Sequence, residues 1–198
     1  MTDRNIDNNL SLEVLSALSK VVGKSASLHE PSFTGNENNY LQECIKSTYV
    51  SSNGFYLDKF SEMLSEFTGS EYVSLIVNGT SALHMALKIA GVERYDEVII
   101  PSLTFVATAN AVSYCGGIPH FVDVNEKDLG IDASKLRDYA NKNFDLENGT
   151  CVNKLTRRTV KAIVPMHTFG HPSDLEEIAI LSRELNLKLI EDAAESLG

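Results

Sequence analysis

Two adjacent acidic residues, Glu191 and Asp192, end the apolar segment LKLIE near the end of the chain. A carboxylate that follows a short buried strand can lie beside the ring nitrogen of a pyridine cofactor and keep that nitrogen protonated. We expect Asp192 in this role and Glu195 within reach of another polar group on the ring. A solvated turn, a helix N-terminus and a magnesium site are the alternatives for such a pair.

A second candidate is the turn Gly79-Thr80-Ser81, which joins the apolar run YVSLIV to a strongly helical segment. Backbone N–H groups at a helix N-terminus favour an anion, so this turn is a candidate phosphate site. It matches neither the GxGxxG dinucleotide fingerprint nor a P-loop. An ordinary capped turn is the alternative.

Phe105 follows the run EVII and precedes an apolar helix. Parallel strands present their carboxyl ends at one edge of a sheet, where ligands bind. Phe105 is therefore expected to lie against a flat ring, and a position in the hydrophobic core is the alternative.

His167 and His171 are four residues apart, but Gly170 and Pro172 indicate a loop rather than a shared helix face. We expect hydrogen-bonded loop histidines and no metal site.

The elements that must position these residues are short apolar runs that alternate with helical segments. Runs that are apolar on both faces are typical of a parallel sheet covered by helices on each side. We therefore predict an α/β fold of three layers, with a mostly parallel sheet flanked by helices. The predicted strands are YVSLIV, EVII, IPHFVDV, KAIVP and LKLIE.

Upstream of these runs, apolar residues at helical spacing predict three helices, at about 10–22, 38–47 and 57–67. Residues 23–35 are expected to form a loop. The polar stretch 141–159 is expected to be a surface excursion.

The composition excludes several classes of function. A chain of 198 residues with 43% hydrophobic content can bury one sizeable core. Its net charge of −10 would repel a phosphate backbone, so nucleic acid is not an expected partner. Three widely spaced cysteines, no apolar run of membrane-spanning length and no signal peptide indicate a cytoplasmic protein without a membrane partner.

Four motifs, in this order, resemble the DegT/StrS family of sugar-nucleotide aminotransferases. They are NGTSALHMAL, PSLTFVATANAVSYCGGIPHFVDV, VPMHTFGHPSDLEEI and LIEDAAESLG. The resemblance implies the large domain of a fold type I enzyme that depends on pyridoxal 5'-phosphate (PLP). The segment upstream of the motifs is most similar to the branch that acts on 4-keto-6-deoxy UDP-sugars, as in legionaminic acid and bacillosamine pathways.

The resemblance also implies roles for single residues. Gly79, Thr80 and Ser81 match the phosphate-binding turn of the family. Phe105 matches the aromatic residue that stacks on the ring, and Asp192 matches the partner of the pyridine nitrogen.

Other positions match the family less closely. Glu195 stands where the family usually has glutamine or histidine beside the ring. Ser51, Ser52 and Gly54 match a segment near the sugar-nucleotide site, which is a weaker correspondence.

The resemblance implies that an intact homodimer transfers an amino group from glutamate to a 4-keto-6-deoxy nucleotide sugar. Residues 1–35 are expected to form an N-terminal helix and loop, and residues 36–198 the first part of the PLP-binding large domain. The small C-terminal domain and the lysine that forms the Schiff base are expected beyond Gly198 and are absent from this chain. The alternatives are a lysine-independent PLP sugar dehydratase, a non-catalytic subunit that binds cofactor or nucleotide, and a Rossmann nucleotide-binding protein.

Overall fold

The computed structural model describes residues 8–23, 25, 27 and 31–197. The chain divides into two compact units, Met1–Lys59 and Phe60–Gly198. The polar lead before the first helix, five residues of the expected loop at 23–35, and Gly198 lie outside the described residues. The domain boundary expected after residue 35 stays a prediction.

Four helices precede the first strand, and strands and helices are interspersed in the rest of the described chain. In chain order the helices are α1 (Asn8–Val22), α2 (Glu37–Ser47), α3 (Phe55–Thr68), α4 (Gly79–Ile89), α5 (Val106–Tyr114), α6 (Ala133–Asn143) and α7 (Leu175–Glu184). The strands are β1 (Glu97–Pro101), β2 (Ile118–Val122), β3 (Phe144–Glu147), β4 (Thr150–Asn153), β5 (Val160–Ile163) and β6 (Lys188–Leu189). The three helices predicted upstream of the sheet are confirmed as α1, α2 and α3.

The second unit is built around a four-stranded sheet in the order β2-β1-β5-β6, in which every neighbouring pair is parallel. All five residues of β1 are buried, as expected for a central strand that is apolar on both faces. The predicted α/β fold with a mostly parallel sheet is confirmed.

Two hydrophobic clusters cover the two faces of this sheet. On one face, side chains of α4 and α5 pack with Val98 and Ile100 of β1. On the other face, side chains of α6 and α7 pack with Ile99 of β1. Successive residues of β1 therefore point to opposite clusters, and the second unit has the three predicted layers.

The strand predicted at YVSLIV is wrong. Residues 72–77 are not assigned to any strand, and no described segment pairs with them. Val73 and Leu75 are partly buried, whereas Tyr72 and Val77 are largely exposed. The apolar pattern of a strand is present, but a strand is completed only by a neighbouring backbone.

The expected surface excursion at 141–159 is wrong in part, because it contains the antiparallel hairpin of β3 and β4. Phe144 and Cys151 of this hairpin are buried in the cluster beneath α6 and α7. Asn153 is buried as well, whereas the turn at Asn148 and Gly149 is exposed.

Candidate functional site at the carboxyl edge of the sheet

The strand order places a topological switch point between β1 and β5, which are neighbours in the sheet. The chain leaves β1 through α5 on one face and β5 through α7 on the other. In α/β sheets such a switch point, outside the carboxyl ends of the strands, is where ligands bind. Phe105 follows β1, His167 follows β5 and Asp192 follows β6, so the three residues come from strand ends at this edge.

Asp192 is held firmly by its backbone. Its N–H donates to the Pro165 carbonyl at 2.9 Å, and its carbonyl accepts from the His167 N–H at 3.2 Å. These two bonds make a parallel bridge between Asp192 and Met166 beyond the ends of β5 and β6. Only 6% of Asp192 is exposed, which argues against the solvated turn.

The Asp192 carboxylate has unequal partners on its two oxygens. Oδ2 accepts a hydrogen bond of 2.7 Å from the Thr108 hydroxyl, which is itself buried. Oδ1 accepts only a long hydrogen bond of 3.4 Å, from the Ala194 N–H. The carboxylate is therefore oriented from the side of α5, and Oδ1 keeps most of its capacity to accept a hydrogen bond.

Thr108 is a residue that the sequence reasoning missed. Its hydroxyl also lies 2.8 Å from that of Thr104, one helical turn earlier in the chain. The available signal was the spacing of these two threonines, since residues four apart at a helix start share a face. Nothing in that spacing indicates Asp192, which lies 84 residues away.

Phe105 is the N-cap residue of α5, with extended backbone angles. Its ring is 67% exposed, which excludes the alternative of a core aromatic. Val106, the first helical residue, is exposed as well. Phe105 is thus an exposed aromatic residue on the segment that links β1 to Thr108.

The turn Gly79-Thr80-Ser81 begins α4, and its cap is Asn78. The Asn78 Oδ1 accepts from the Ser81 N–H at 2.9 Å, and the Asn78 carbonyl accepts from the Ala82 N–H at 3.0 Å. The N–H groups of Gly79 and Thr80 precede these bonds, at the positive end of the helix dipole. The capped turn and the anion site are therefore compatible.

Glu195 is fastened to the turn that follows β5. Its Oε2 accepts a hydrogen bond of 2.7 Å from the Phe169 N–H. Phe169 and Gly170 have φ of 55° and 79°, and a Cβ on Gly170 would lie 2.9 Å from the Glu195 carbonyl oxygen. This close approach requires glycine at position 170. Glu195 itself is exposed, so its second carboxylate oxygen remains accessible.

His167 is a buried, hydrogen-bonded loop histidine. Its Nδ1 accepts from the Ser173 N–H at 3.0 Å, which places the ring proton on Nε2. Nε2 lies 3.4 Å from Glu191 Oε2. His171 is exposed. Within the described residues, no group of three His, Cys, Asp or Glu side chains is arranged to hold a metal ion.

Ser51, Ser52 and Gly54 lie in the first compact unit. A cavity of about 580 Å³ in this unit is lined by Ser51 and Gly54 but not by Ser52. Tyr56 lines the same cavity and donates a hydrogen bond to Glu43, which raises the pKa of Tyr56 to about 12. The cavity therefore contains serine, carboxylate and phenol groups as well as apolar walls.

A model of the DegT/DnrJ/EryC1/StrS aminotransferase family matches residues 31–198. The chain belongs to this family. GDP-perosamine synthase of Escherichia coli O157:H7 is 40% identical over 171 residues, which cover 86% of this chain and 43% of the relative. The dTDP-4-amino-4,6-dideoxy-D-glucose transaminase of Shigella dysenteriae is 36% identical, over 80% of this chain and 38% of the relative.

Solved aminotransferase structures share the fold of this family member. The aminotransferase from Psychrobacter cryohalolentis aligns with a TM-score of 0.72 and 30% identity, over 85% of this chain and 39% of that one. NtdA from Bacillus subtilis, solved with the cofactor PMP bound, aligns with a TM-score of 0.65 and 28% identity, over 89% of this chain and 39% of that one.

The chain spans about two fifths of the length of the curated relatives it matches, 43% of one GDP-perosamine synthase and 42% of another. In the described part of this DegT/DnrJ/EryC1/StrS chain, no helix has the length and apolar character needed to cross a membrane.

Proposed function

We propose that this protein binds PLP at the switch point on the carboxyl edge of the sheet. We further propose that the intact protein transfers an amino group from glutamate to a 4-keto-6-deoxy nucleotide sugar. The observation that carries the proposal is the Asp192 carboxylate, which is buried at the strand ends and oriented by Thr108, with Oδ1 holding only a long hydrogen bond.

The candidate residues have the chemical groups that PLP would need. The backbone N–H groups of Gly79 and Thr80, with the Ser81 hydroxyl, suit its phosphate. The exposed ring of Phe105 suits the face of its pyridine ring. The charge of Asp192 suits a protonated ring nitrogen. When bound, the protonated ring withdraws electrons from the substrate carbon at which the amino group is exchanged.

Glu195 is proposed to contact a polar substituent of the same ring. One of its carboxylate oxygens is occupied by the Phe169 N–H, which fixes where the side chain points. The other oxygen can accept a hydrogen bond from the ligand.

The names of the relatives support the substrate class. A transaminase whose name contains a 4-amino-4,6-dideoxy sugar implies a 4-keto-6-deoxy sugar as the compound that is aminated. The name of GDP-perosamine synthase contains GDP instead of dTDP. The names of the relatives therefore do not determine which nucleotide the sugar substrate carries. Within the first unit, the cavity that contains Ser51 and Gly54, together with neighbouring Ser52, is proposed to contribute to sugar-nucleotide binding. A homodimer is part of the same proposal.

The cofactor proposal can be tested by titrating the chain with pyridoxamine 5'-phosphate, which lacks the aldehyde that reacts with surface lysines. We expect saturable quenching of ligand fluorescence. Because a hydrogen bond to a charged group contributes about 1.5 to 3 kcal/mol, Asp192→Asn should weaken binding by about 10- to 100-fold.

Asp123→Asn is the matched control for this titration. It removes a carboxylate that follows β2 at the same sheet edge but is exposed and paired with Lys135. Equal affinity in the wild type and Asp192→Asn would overturn the assignment of Asp192.

The reaction can be tested on the protein expressed from its complete reading frame. It should be supplied with PLP, L-glutamate and either a GDP-linked or a UDP-linked 4-keto-6-deoxy sugar. We expect 2-oxoglutarate and an amino sugar in equal amounts, measured by mass spectrometry. Binding of the cofactor without turnover of either sugar would favour the non-catalytic subunit instead.

A further inference from the structure

We propose that Thr108 is a positioning residue for the Asp192 carboxylate, and that Thr104 orients the Thr108 hydroxyl in turn. The inference rests on the proposed function, since it assigns Asp192 to the ring nitrogen of the cofactor. The chain of contacts is short at both steps, 2.8 Å between the two threonine hydroxyls and 2.7 Å from Thr108 to Asp192.

The direction of these hydrogen bonds follows from the number of protons available. A hydroxyl has one proton to donate, and an ionised carboxylate can only accept. Thr108 therefore donates its proton to Asp192 Oδ2. The contact between the two threonines must then use the proton of Thr104, with the Thr108 oxygen as the acceptor. Both hydroxyls point their dipoles toward the carboxylate, and each bond strengthens the next.

The burial of Thr108 makes this arrangement rigid. Thr108 is 1% exposed, and its N–H donates to the Phe105 carbonyl at 3.1 Å in the first turn of α5. A β-branched side chain in a helix has few χ1 rotamers, so the position of its hydroxyl is restricted. The hydroxyl holds Oδ2, and Oδ1 remains the oxygen that can face a ligand.

The same short segment also carries the proposed ring-stacking residue. Thr104 and Phe105 lie in the turn that joins β1 to α5, and Thr108 lies in the first turn of α5. This segment thus carries both Phe105, against which the cofactor ring is proposed to lie, and Thr108, which orients the carboxylate proposed to meet the ring nitrogen. A rotation of the Asp192 carboxylate would tilt Oδ1 away from that plane, which weakens a directional hydrogen bond.

The test compares Thr108→Val, which removes the hydroxyl at nearly constant volume, with Thr108→Ser, which keeps it. Each variant of the chain is titrated with pyridoxamine 5'-phosphate and with its 1-deaza analogue, in which C–H replaces the ring nitrogen. We expect Thr108→Val to weaken binding of pyridoxamine phosphate about tenfold and to leave the analogue unchanged. Thr108→Ser should restore the wild-type ratio of the two dissociation constants.

The ratio of affinities separates positioning from a general structural effect. A merely structural loss would weaken both ligands equally, and that result would overturn the inference, as would an unchanged ratio in Thr108→Val. Thr104→Val removes only the outer hydroxyl and keeps the buried contact with Asp192. It should lower the preference for pyridoxamine phosphate over the 1-deaza analogue about two- to threefold. This variant provides the test if Thr108→Val does not fold.

The wild type and Asp192→Asn distinguish failure of this inference from failure of the proposed function. If the wild type shows no preference for the ring nitrogen, or Asp192→Asn does not abolish it, the assignment of Asp192 is wrong and the inference falls with it. If both behave as expected and the threonine variants keep the full preference, only the role of Thr108 is overturned.

Discussion

Two buried carboxylates lie at opposite edges of the same parallel sheet. Glu97 begins β1 at the amino edge, and Asp192 follows β6 at the carboxyl edge. Glu97 accepts three short hydrogen bonds, from the Thr156 hydroxyl at 2.6 Å, the Asn153 amide at 2.8 Å and the His120 Nδ1 at 2.9 Å. Its two oxygens are therefore surrounded by donors from the protein itself.

Asp192 is nearly as buried but has fewer partners. It has one short hydrogen bond, from Thr108, and one long bond, from the Ala194 N–H. A carboxylate with a complete set of donors stabilises the fold, whereas one whose second oxygen is weakly bonded is suited to a ligand. Glu97 and Asp192 are almost equally buried, so burial does not tell their roles apart. Their hydrogen-bond partners do, and they indicate a structural role for Glu97 and a candidate functional role for Asp192.

The electrostatics of Glu97 agree with a structural role. Burial alone would raise the pKa of Glu97, but the hydrogen bonds from Thr156, Asn153 and His120 outweigh it and hold the pKa below its ordinary value. The His120 ring is itself packed edge-on against Tyr139 and Phe144. This cluster around Glu97 joins the hairpin of β3 and β4 to β1 and β2.

The largest effect on stability is expected from Glu97→Gln. The amide removes the charge and turns a donor toward groups that already donate, so the free energy of unfolding should fall by about 3 kcal/mol. Asp192→Asn is the matched substitution at the other edge and should cost only about 1 kcal/mol, because its amide oxygen can still accept from Thr108. Urea unfolding at pH 7 measures both. Equal losses would contradict the distinction between the two carboxylates.

The dependence of stability on pH sharpens the same comparison. The folded pKa of Glu97 lies below its ordinary value of 4.5, so the unfolded chain takes up a proton first as the pH falls. The stability contributed by Glu97 is complete above that value and is lost as the pH drops toward the folded pKa. We expect the difference in unfolding free energy between wild type and Glu97→Gln to shrink between about pH 5.5 and pH 3. A difference that stays constant over this range would refute the role of the Glu97 charge.

Local signals in the sequence were sufficient to select candidate residues for the site, whose roles stay predictions. Asp192, Phe105 and the turn at Gly79 each follow an apolar run, and a run followed by small or polar residues indicates a strand end or a helix start. The parallel sheet itself could be predicted because its strands are apolar on both faces.

Contacts between distant segments could not be predicted in this way. Glu97 and Thr156 are 59 residues apart, and Thr108 and Asp192 are 84 residues apart. Side-chain hydrogen bonds of this kind leave no periodicity in the sequence. The wrong strand at 72–77 has a related cause, since its pattern is local but its completion depends on a backbone elsewhere.

An intermediate effect is expected from Gly170→Ala, in the turn that holds Glu195. The new alanine would have to keep φ of 79°, and its Cβ would lie 2.9 Å from the Glu195 carbonyl oxygen. Gly149→Ala is the matched control, with φ of 80° and nothing within 4 Å of its Cβ. The control should lose about 1 kcal/mol from backbone strain alone, and Gly170→Ala roughly twice as much. Equal losses in urea unfolding would mean that Glu195 is not fastened closely to this turn.

The smallest effect concerns the thiol of Cys151, which is buried near Glu97. Burial, with a further contribution from the Glu97 charge, raises the pKa of Cys151 to about 11. At pH 8 only about one molecule in a thousand carries the thiolate, so iodoacetamide should label Cys44, which is partly exposed, well before Cys151. Mass spectrometry of the alkylated chain measures the order, and urea-unfolded protein provides the fully labelled reference.

In Glu97→Gln the labelling of Cys151 should accelerate, because the negative charge near the thiol is removed and the packing around it is weakened. Rapid labelling of Cys151 in the folded wild type would mean that the amino edge is as open as the carboxyl edge.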